Sequence, residues 1–413
     1  MQHSRTDKII SDPKRAIFAK TASDPVPIPD MAIDRVLEIL HSGRLFRYGE
    51  DTAEQSDVSL FEAEFATFVG KKYVNAVNSC GCALFLALKA LDVQPGDRVL
   101  CSGFTLAPVP GAIVHADARP VFVETNADLT VNVDHLESLC KNAGARVFML
   151  SHMRGHFGDI EKIISVCRRY NVKVLEDCAH TLGADWDGRK VGGFGDIACY
   201  SSQTFKHLNS GEGGIIATDD ADTAARITIM SGSYMLYMQN GARPEADIFE
   251  KHRDRVPNFS MRMTNLSAAL LRPQLPMLAE WKAKWNERYR WIEDGLRDIN
   301  KIEIIERGVS ENFVGSSIQF SMPALTDEQK RMFVEDAANH GVFIKWFGAE
   351  RTAGFTSRFD QWDYIPDGID LPETHQILSS LMDMRIALSL NKEDCRQITA
   401  VMAEALAMIM AKE

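Results

Sequence analysis

Residues 171–219 read NVKVLEDCAHTLGADWDGRKVGGFGDIACYSSQTFKHLNSGEGGIIATD. Three apolar runs stand in this stretch, KVLEDCAH, IACYSS and GGIIATD, each flanked by polar and glycine-rich residues. Apolar runs without polar alternation suit strands buried on both faces of a sheet. The first run carries an acid, Asp177, at its end; the second is followed by a lysine, Lys206, 29 residues further on. Ligands of parallel α/β sheets bind beyond the carboxyl ends of the strands, so both residues fall where chemistry is done. Taken singly, an acid at a strand end is commonly a helix cap and a lysine a solvated surface charge.

The pattern continues upstream. From residue 74 the runs YVNAVN, RVLCSG, PVFVE and RVFMLSH alternate with segments such as CALFLALKALD and DIEKIISVCRRYN, whose apolar positions recur every three or four residues. This predicts an α/β fold, a mostly parallel sheet with helices on both faces. Downstream, RPQLPMLAEWKAKWNERYRWIEDGL predicts a long, proline-started helix and a domain boundary. The chain divides on this reading into an N-terminal arm (1–30) rich in Pro and Asp, a large domain (31–275) and a smaller C-terminal α+β domain (276–413). The last closes with ITAVMAEALAMIMAKE, an amphipathic helix whose bland role is to pack on that domain.

A length of 413 residues suits two cores rather than one. The formal net charge of -11 argues against nucleic acid as a partner and for small-molecule ligands. No apolar run is long enough to span a bilayer, and MQHSRTDKIISDPKR has neither the apolar stretch nor the cleavage site of a signal peptide. A cytoplasmic location is therefore expected, away from membranes. The eight cysteines include no pair of CxxC units, and His152 and His156 bracket a strand exit rather than a helix turn, so no metal is expected.

Asp177 and Lys206 gain meaning together. Pyridoxal phosphate needs a lysine amine, a carboxylate that keeps its pyridine nitrogen protonated, and a phosphate cradle. Gly81, at the turn between VNAVNSC and CALFLALKALD, offers exposed backbone N–H groups and a helix dipole for the last of these.

The chain resembles the DegT/StrS family of sugar aminotransferases, which have the type I aminotransferase fold. The similarity runs from LHSGRLFRYGED and FEAEFATFVGKKYVNAVNSCGCAL through VQPGDRVLCSGFTLAPVPGAIVHADARPVFVE and the 176–214 block to MRMTNLSAALLRPQL, about residues 40 to 280. The resemblance implies pyridoxal 5'-phosphate as cofactor, held as a Schiff base by Lys206. It implies Asp177 on the pyridinium nitrogen, His180 against the ring's phenolic oxygen, Ser201 on the phosphate, and Gly81 and Cys82 at the phosphate cradle. Two subunits complete each site in this family, so a homodimer with composite active sites follows. Three positions depart from the family pattern. Cys82 replaces a hydroxyl donor, Leu106 stands where an aromatic ring stacks on the cofactor, and Ser260 stands where an asparagine reaches the neighbouring subunit's phosphate.

The activity implied is transfer of an amino group from glutamate or glutamine to a keto sugar, in amino-sugar biosynthesis for cell-surface polysaccharide such as lipopolysaccharide. Lys206 acts as general base and acid, its pKa lowered by burial and nearby positive charge. Family relatives with histidine in place of the lysine are sugar dehydratases; here the histidine only follows it, at His207. His152 and Arg154 come after the strand RVFML, at the ligand end of the sheet. Arg154 is either a surface arginine paired with some carboxylate or a fork for a substrate carboxylate. The second reading fits an 8-oxo-3-deoxy-manno-octulosonate, which one branch of the family converts to 8-amino-3,8-dideoxy-manno-octulosonate. A nucleotide-linked keto sugar, a sugar dehydratase using the same cofactor, and a non-catalytic regulatory or binding protein stand as alternatives.

Overall fold

The computed structural model describes residues 15–49, 55–351, 354–355, 357–365 and 368–411. The seven apolar runs are strands: β1 (Tyr73–Val77), β2 (Arg98–Ser102), β3 (Arg119–Val123), β4 (Val147–Ser151), β5 (Lys173–Asp177), β6 (Ile197–Ser201) and β7 (Gly214–Thr218). They form one sheet in the order β1-β7-β6-β5-β4-β2-β3. Strands β2 to β6 run parallel, whereas β7 is antiparallel to both its neighbours, so Thr218 lies opposite Tyr73 on one side and Ile197 on the other.

Every residue of β4, β6 and β7 is buried, which is why these runs carry no polar alternation. Successive side chains still go to opposite faces. Phe148 and Leu150 join Phe61, Phe65 and Ile163 in one core, while Val147 and Met149 join Leu84, Leu88 and Ile113 in the other. The expected helices on both faces are thus present, and the carboxyl ends of β4, β5 and β6 lie side by side.

The long helix spans Leu278–Arg297 and follows a short turn, Leu275–Met277, that contains the proline. Beyond it, β8 (Glu303–Ile304), β9 (Ser317–Ser321), β10 (Lys345–Trp346) and β11 (Leu381–Arg385) form a second, antiparallel sheet in the order β8-β9-β11-β10. Helices Asp327–Asn339 and Lys392–Met410 pack on it. The N-terminal arm, from residue 15 onward, is bound to this second region rather than standing clear of the core. Arg15 forms a two-pronged pair with Asp336 (3.0 and 2.7 Å), the Phe18 N–H donates to the His340 carbonyl, and Phe18 and Val26 are buried.

Candidate active site

After β1 the chain turns at Ser79, whose Oγ accepts the Cys82 N–H at 3.1 Å and caps the helix Cys80–Ala90. Gly81 lies inside the first turn of that helix, not in the turn before it as the sequence suggests. A Cβ built on Gly81 would meet only Ser79 Oγ, at 3.9 Å, so the helix start is open to an approaching anion. The glycines of GEGG bring β7 hard against this cap. A Cβ on Gly214 would lie 2.2 Å from the Ser79 carbonyl oxygen, and one on Gly213 would lie 2.1 Å from Ser202 Oγ. Ser201, at the end of β6, is buried, and its Oγ accepts the Gln203 N–H at 3.3 Å.

Asp177 ends β5 in a buried position. Its Oδ2 accepts from Ser151 Oγ at 3.0 Å and its Oδ1 from the Ala179 N–H at 3.1 Å. Burial pushes its carboxyl above the usual range, against the pull of the Ala179 amide, the Lys206 charge and Ser151. A buried carboxylate held by two neutral donors suits a cationic ring nitrogen as its missing partner.

Lys206 sits in the loop between β6 and β7, with Nζ 2.8 Å from His180 Nε2. Burial, followed by the positive charge of Arg154, lowers the Lys206 pKa to about 8. Burial and then the charges of Lys206 and Arg154 push His180 well below its ordinary value. His180 is therefore neutral at pH 7 and presents Nε2 as an acceptor to the lysine amine. His207 takes no part: its Nδ1 lies 2.9 Å from the Leu182 carbonyl and its Nε2 2.9 Å from Ser316 Oγ.

The departures from the family pattern are placed as follows. Cys82 contributes its backbone N–H to the Ser79 cap. Leu106 is half-buried between β2 and the helix Pro108–His115, packed against the cluster of Phe104, Met153 and Phe347. Ser260 is exposed at φ 56°, a left-handed conformation, with its N–H on Asn258 Oδ1 at 3.0 Å. The next residue, Met261, accepts the Asn78 N–H through its carbonyl at 3.0 Å, so Ser260 borders the capped helix start.

The two expected substrate residues are placed differently. His152 is fully buried, with Nε2 3.1 Å from Glu176 Oε2. Arg154 is not a surface arginine. It is buried at φ 55°, and its Nη2 donates to Asp383 of β11 at 2.5 Å, so its partner comes from the second sheet. Its Nε is buried and lacks a partner among the described residues. A cavity of about 1030 Å³ opens beside this pair and is walled by Lys345 and Arg385 as well. Arg385 also borders the narrow cleft that holds Phe205 and Lys206.

Glu176 is the residue that sequence reasoning missed. Its Oε1 accepts the N–H groups of Phe194 (2.9 Å) and Gly195 (2.5 Å), and its Oε2 accepts that of Gly192 (2.9 Å) beside His152. One carboxylate thereby ties β5, the strand exit at His152 and the loop before β6 into a frame directly behind Asp177. A charge inside the run KVLED, pointing to the opposite face from Asp177, was the available signal, together with the glycines of VGGFG. Glu176, His152 and Cys178 approach one another as a metal-binding set could, but the carboxylate oxygens already carry four donors. Burial, reinforced by the Glu176 charge, also holds the Cys178 thiol far above its usual pKa.

Burial alone would raise the Glu176 pKa, but His152 and the backbone donors overcome it and leave the carboxyl below its usual range. Its contribution to stability is thus complete above the unfolded-state pKa and is lost as pH falls through the lower folded-state value. Glu176→Gln should cost about 3 kcal/mol, because the amide NH₂ would face donors. Urea unfolding at pH 7 and at pH 3.5 checks this: the gap between wild type and variant should shrink at the lower pH.

Residues 28–403 match the DegT/DnrJ/EryC1/StrS aminotransferase family. The spore coat polysaccharide biosynthesis protein SpsC of Bacillus subtilis is 33% identical over 262 residues, 62% of this chain and 64% of that protein. The GDP-perosamine synthase of Caulobacter vibrioides is 32% identical over 265 residues, 64% of this chain and 66% of the synthase. The chain thus spans just under two thirds of the length of each of these relatives. Among solved structures, the aminotransferase TlmJ of Streptoalloteichus hindustanus superimposes with a TM-score of 0.80 at 21% identity, covering 95% of this chain and 100% of its own. The 3-amino-5-hydroxybenzoic acid synthase structure gives 0.79 at 25% identity, covering 94% and 100%.

Proposed function

Because the chain belongs to the DegT/DnrJ/EryC1/StrS aminotransferase family, we propose that it is a transaminase that places an amino group on a keto sugar. Its fold is the type I pyridoxal-phosphate-dependent transferase fold, and its cofactor is pyridoxal 5'-phosphate. The observation that carries the proposal is the convergence, beyond the carboxyl ends of β5 and β6, of a buried Asp177, a Lys206 amine with its pKa lowered to about 8, and a neutral His180 whose Nε2 lies 2.8 Å from that amine.

When bound, the cofactor supplies an electron sink for bonds at the carbon bearing the amine. The chain's own groups do the rest. Asp177 would hold a positive charge on the ring nitrogen, and the open start of the helix Cys80–Ala90 and Ser201 would hold the phosphate. Near neutral pH, a fraction of the free Lys206 amine is unprotonated, as a general base that takes and returns a proton at the substrate carbon must be. His180 accepts a hydrogen from that amine and keeps it aimed into the site.

A sugar carbonyl as acceptor and glutamate or glutamine as donor are the finer parts of this reading. A relative named GDP-perosamine synthase supports the sugar, and the spore coat polysaccharide relative supports a place in cell-surface polysaccharide biosynthesis. The exposed Ser260 beside the helix start supports a homodimer whose second subunit completes the site. A cytoplasmic setting belongs to the same reading; among the described residues no helix is long and apolar enough to cross a membrane. An acidic acceptor such as 8-oxo-3-deoxy-manno-octulosonate is favoured by the cationic wall of the cavity at Arg154, Lys345 and Arg385. A nucleotide-linked keto sugar is the second reading, favoured by the GDP-perosamine relative. Elimination in the manner of a dehydratase is disfavoured, because a lysine, Lys206, holds the position where those relatives have histidine, and His207 only follows it.

The test is an incubation of yellow holoenzyme with ¹⁵N-labelled glutamate or glutamine and a panel of acidic and nucleotide-linked keto sugars. Label should appear in an amino sugar in step with donor consumption. A deoxy sugar formed without donor consumption would mean elimination, and no product from any acceptor would sink the reading.

A further inference from the structure

The chain leaves β4 through a tight turn. The Gly155 N–H donates to the His152 carbonyl at 3.1 Å and the His156 N–H to the Met153 carbonyl at 3.2 Å. Arg154 at φ 55° and Gly155 at φ 76° are both left-handed. An arginine keeps that conformation only where its surroundings hold it there. The holding groups come from beyond residue 300. Asp383 of β11 takes the Arg154 guanidinium at 2.5 Å. Arg307 donates to the Gly155 carbonyl at 2.6 Å and reaches the Arg154 carbonyl at 3.4 Å. Gln319 of β9 places Oε1 2.9 Å from His156 Nε2 and gives its Nε2 to Asp383 Oδ1 at 2.8 Å. Arg154, His156, Gln319 and Asp383 are all buried.

On its other side the turn bears on the loop that carries Asp177 and His180. The His152 N–H donates to the Asp177 carbonyl at 3.1 Å, and a Cβ placed on Gly155 would lie 3.2 Å from the His180 carbonyl oxygen. His180 in turn lies 2.8 Å from Lys206 Nζ. One continuous set of contacts thus runs from a strand of the second sheet, through this turn, to the lysine amine.

We propose that Asp383 is a positioning residue for transamination, acting through Arg154: it pins the turn after β4 against the Asp177–His180 loop and so fixes the surroundings in which the Lys206 amine works. The proposal rests on the transaminase reading above, with Lys206 as the working amine. The cavity of about 1030 Å³ beside the pair gives the Arg154 side chain room to leave once its anchor is lost. The electrostatics agree with the geometry. Burial first, then the Arg154 charge, lower the Lys206 amine to about 8; Asp177 and Cys80 act against them, and Arg385 acts with them. His180 and His207 carry no charge above pH 7, because burial holds both below their ordinary range. Arg154 is therefore the charge with the largest hold on the amine, and its place is set by Asp383. Lys345 of β10 and Arg385 of β11 also face Asp383.

The test reads the amine without turnover. Pyridoxal phosphate is added to cofactor-free protein, and the rate at which the visible band forms is followed by stopped-flow absorbance from pH 6.5 to 10, since only an unprotonated amine reacts. Lys206→Ala, which keeps Lys345, gives the background. A band that forms as fast there would sink the lysine assignment and this proposal with it; a band confined to proteins with Lys206 upholds the assignment, and the midpoints then judge Asp383 alone. Wild type should show a midpoint near 8. Asp383→Asn keeps an acceptor for Gln319 but frees Arg154, and should raise the midpoint by about half a pH unit or more. Arg154→Gln should raise it likewise, and adding Asp383→Asn to Arg154→Gln should raise it no further, as expected of two residues acting through one contact. Asp383→Glu keeps the ion pair but moves it by one methylene, and should give a smaller rise. A midpoint unmoved or lowered in Asp383→Asn (in Asp383→Glu if Asp383→Asn does not fold) would overturn the positioning role. So would a further rise in the double variant, or a loss of thermal stability with the midpoint intact.

Discussion

Lys206→Ala is expected to abolish transamination, a fall of about four orders of magnitude or more, while the protein keeps its fold. The side chain is half-buried, and its single hydrogen bond goes to His180. Removing the amine takes one cation away from a neighbourhood that already holds Arg154 and Arg385, so no stability is lost by electrostatics. What disappears is the amine proposed to attach the cofactor and carry the proton. Two measurements separate the effects. Turnover in an assay of donor consumption should vanish, and thermal melting should stay within a degree or two of wild type or rise. The visible band that borohydride bleaches should be absent from the variant. Near-normal turnover in Lys206→Ala would place the catalytic amine elsewhere.

The second large effect is expected at Asp177. Asp177→Asn keeps the shape: the amide oxygen can still accept from the Ala179 N–H, and the Ser151 hydroxyl can turn to accept from the new NH₂. On the proposed reading the charge that would face the cofactor's ring nitrogen is lost, and turnover should fall by about two to three orders of magnitude at saturating cofactor. Stability should move the other way. Burial raises the Asp177 pKa, so the cofactor-free protein carries an unfavourable buried charge there, and the neutral amide removes it. Urea unfolding of cofactor-free protein should therefore show Asp177→Asn equal to or more stable than wild type. A variant that loses stability but keeps its rate would make Asp177 a structural residue.

Much of this site could be read from the chain because it is local to strand ends. Asp177 and Ser201 each end a run whose burial and termination are written in consecutive residues, and Lys206 lies in the loop that follows the second of them. Gly81 was located to within one helical turn, its error arising because the Ser79 cap starts the helix earlier than the apolar periodicity does. What could not be read were contacts that join distant segments. Arg154 looked like a surface charge because its partner, Asp383, lies on a strand of the second sheet. The pairing of His152 with Glu176 was hidden because Glu176 stands within an apolar run, where the period-two geometry points it away from Asp177. Arg385 and Lys345 carry no local pattern at all; only the antiparallel register of β10 and β11 brings them to one face.

The reversed direction of β7 also bears on the order in which the protein can be built during synthesis. Its register seats Gly214 opposite Val77 and Thr218 opposite Tyr73, so β1 enters the sheet only by pairing with β7. The start of the helix Cys80–Ala90, which leaves β1, is fixed in place by Gly214 pressing on Ser79. A nascent chain leaving the ribosome amino-terminus first has therefore made β2 through β6, with every parallel pair of the sheet, before β1 can be tied in. The start of that helix is the last part of the large sheet to be fixed, and it is fixed by the same hairpin that carries Lys206.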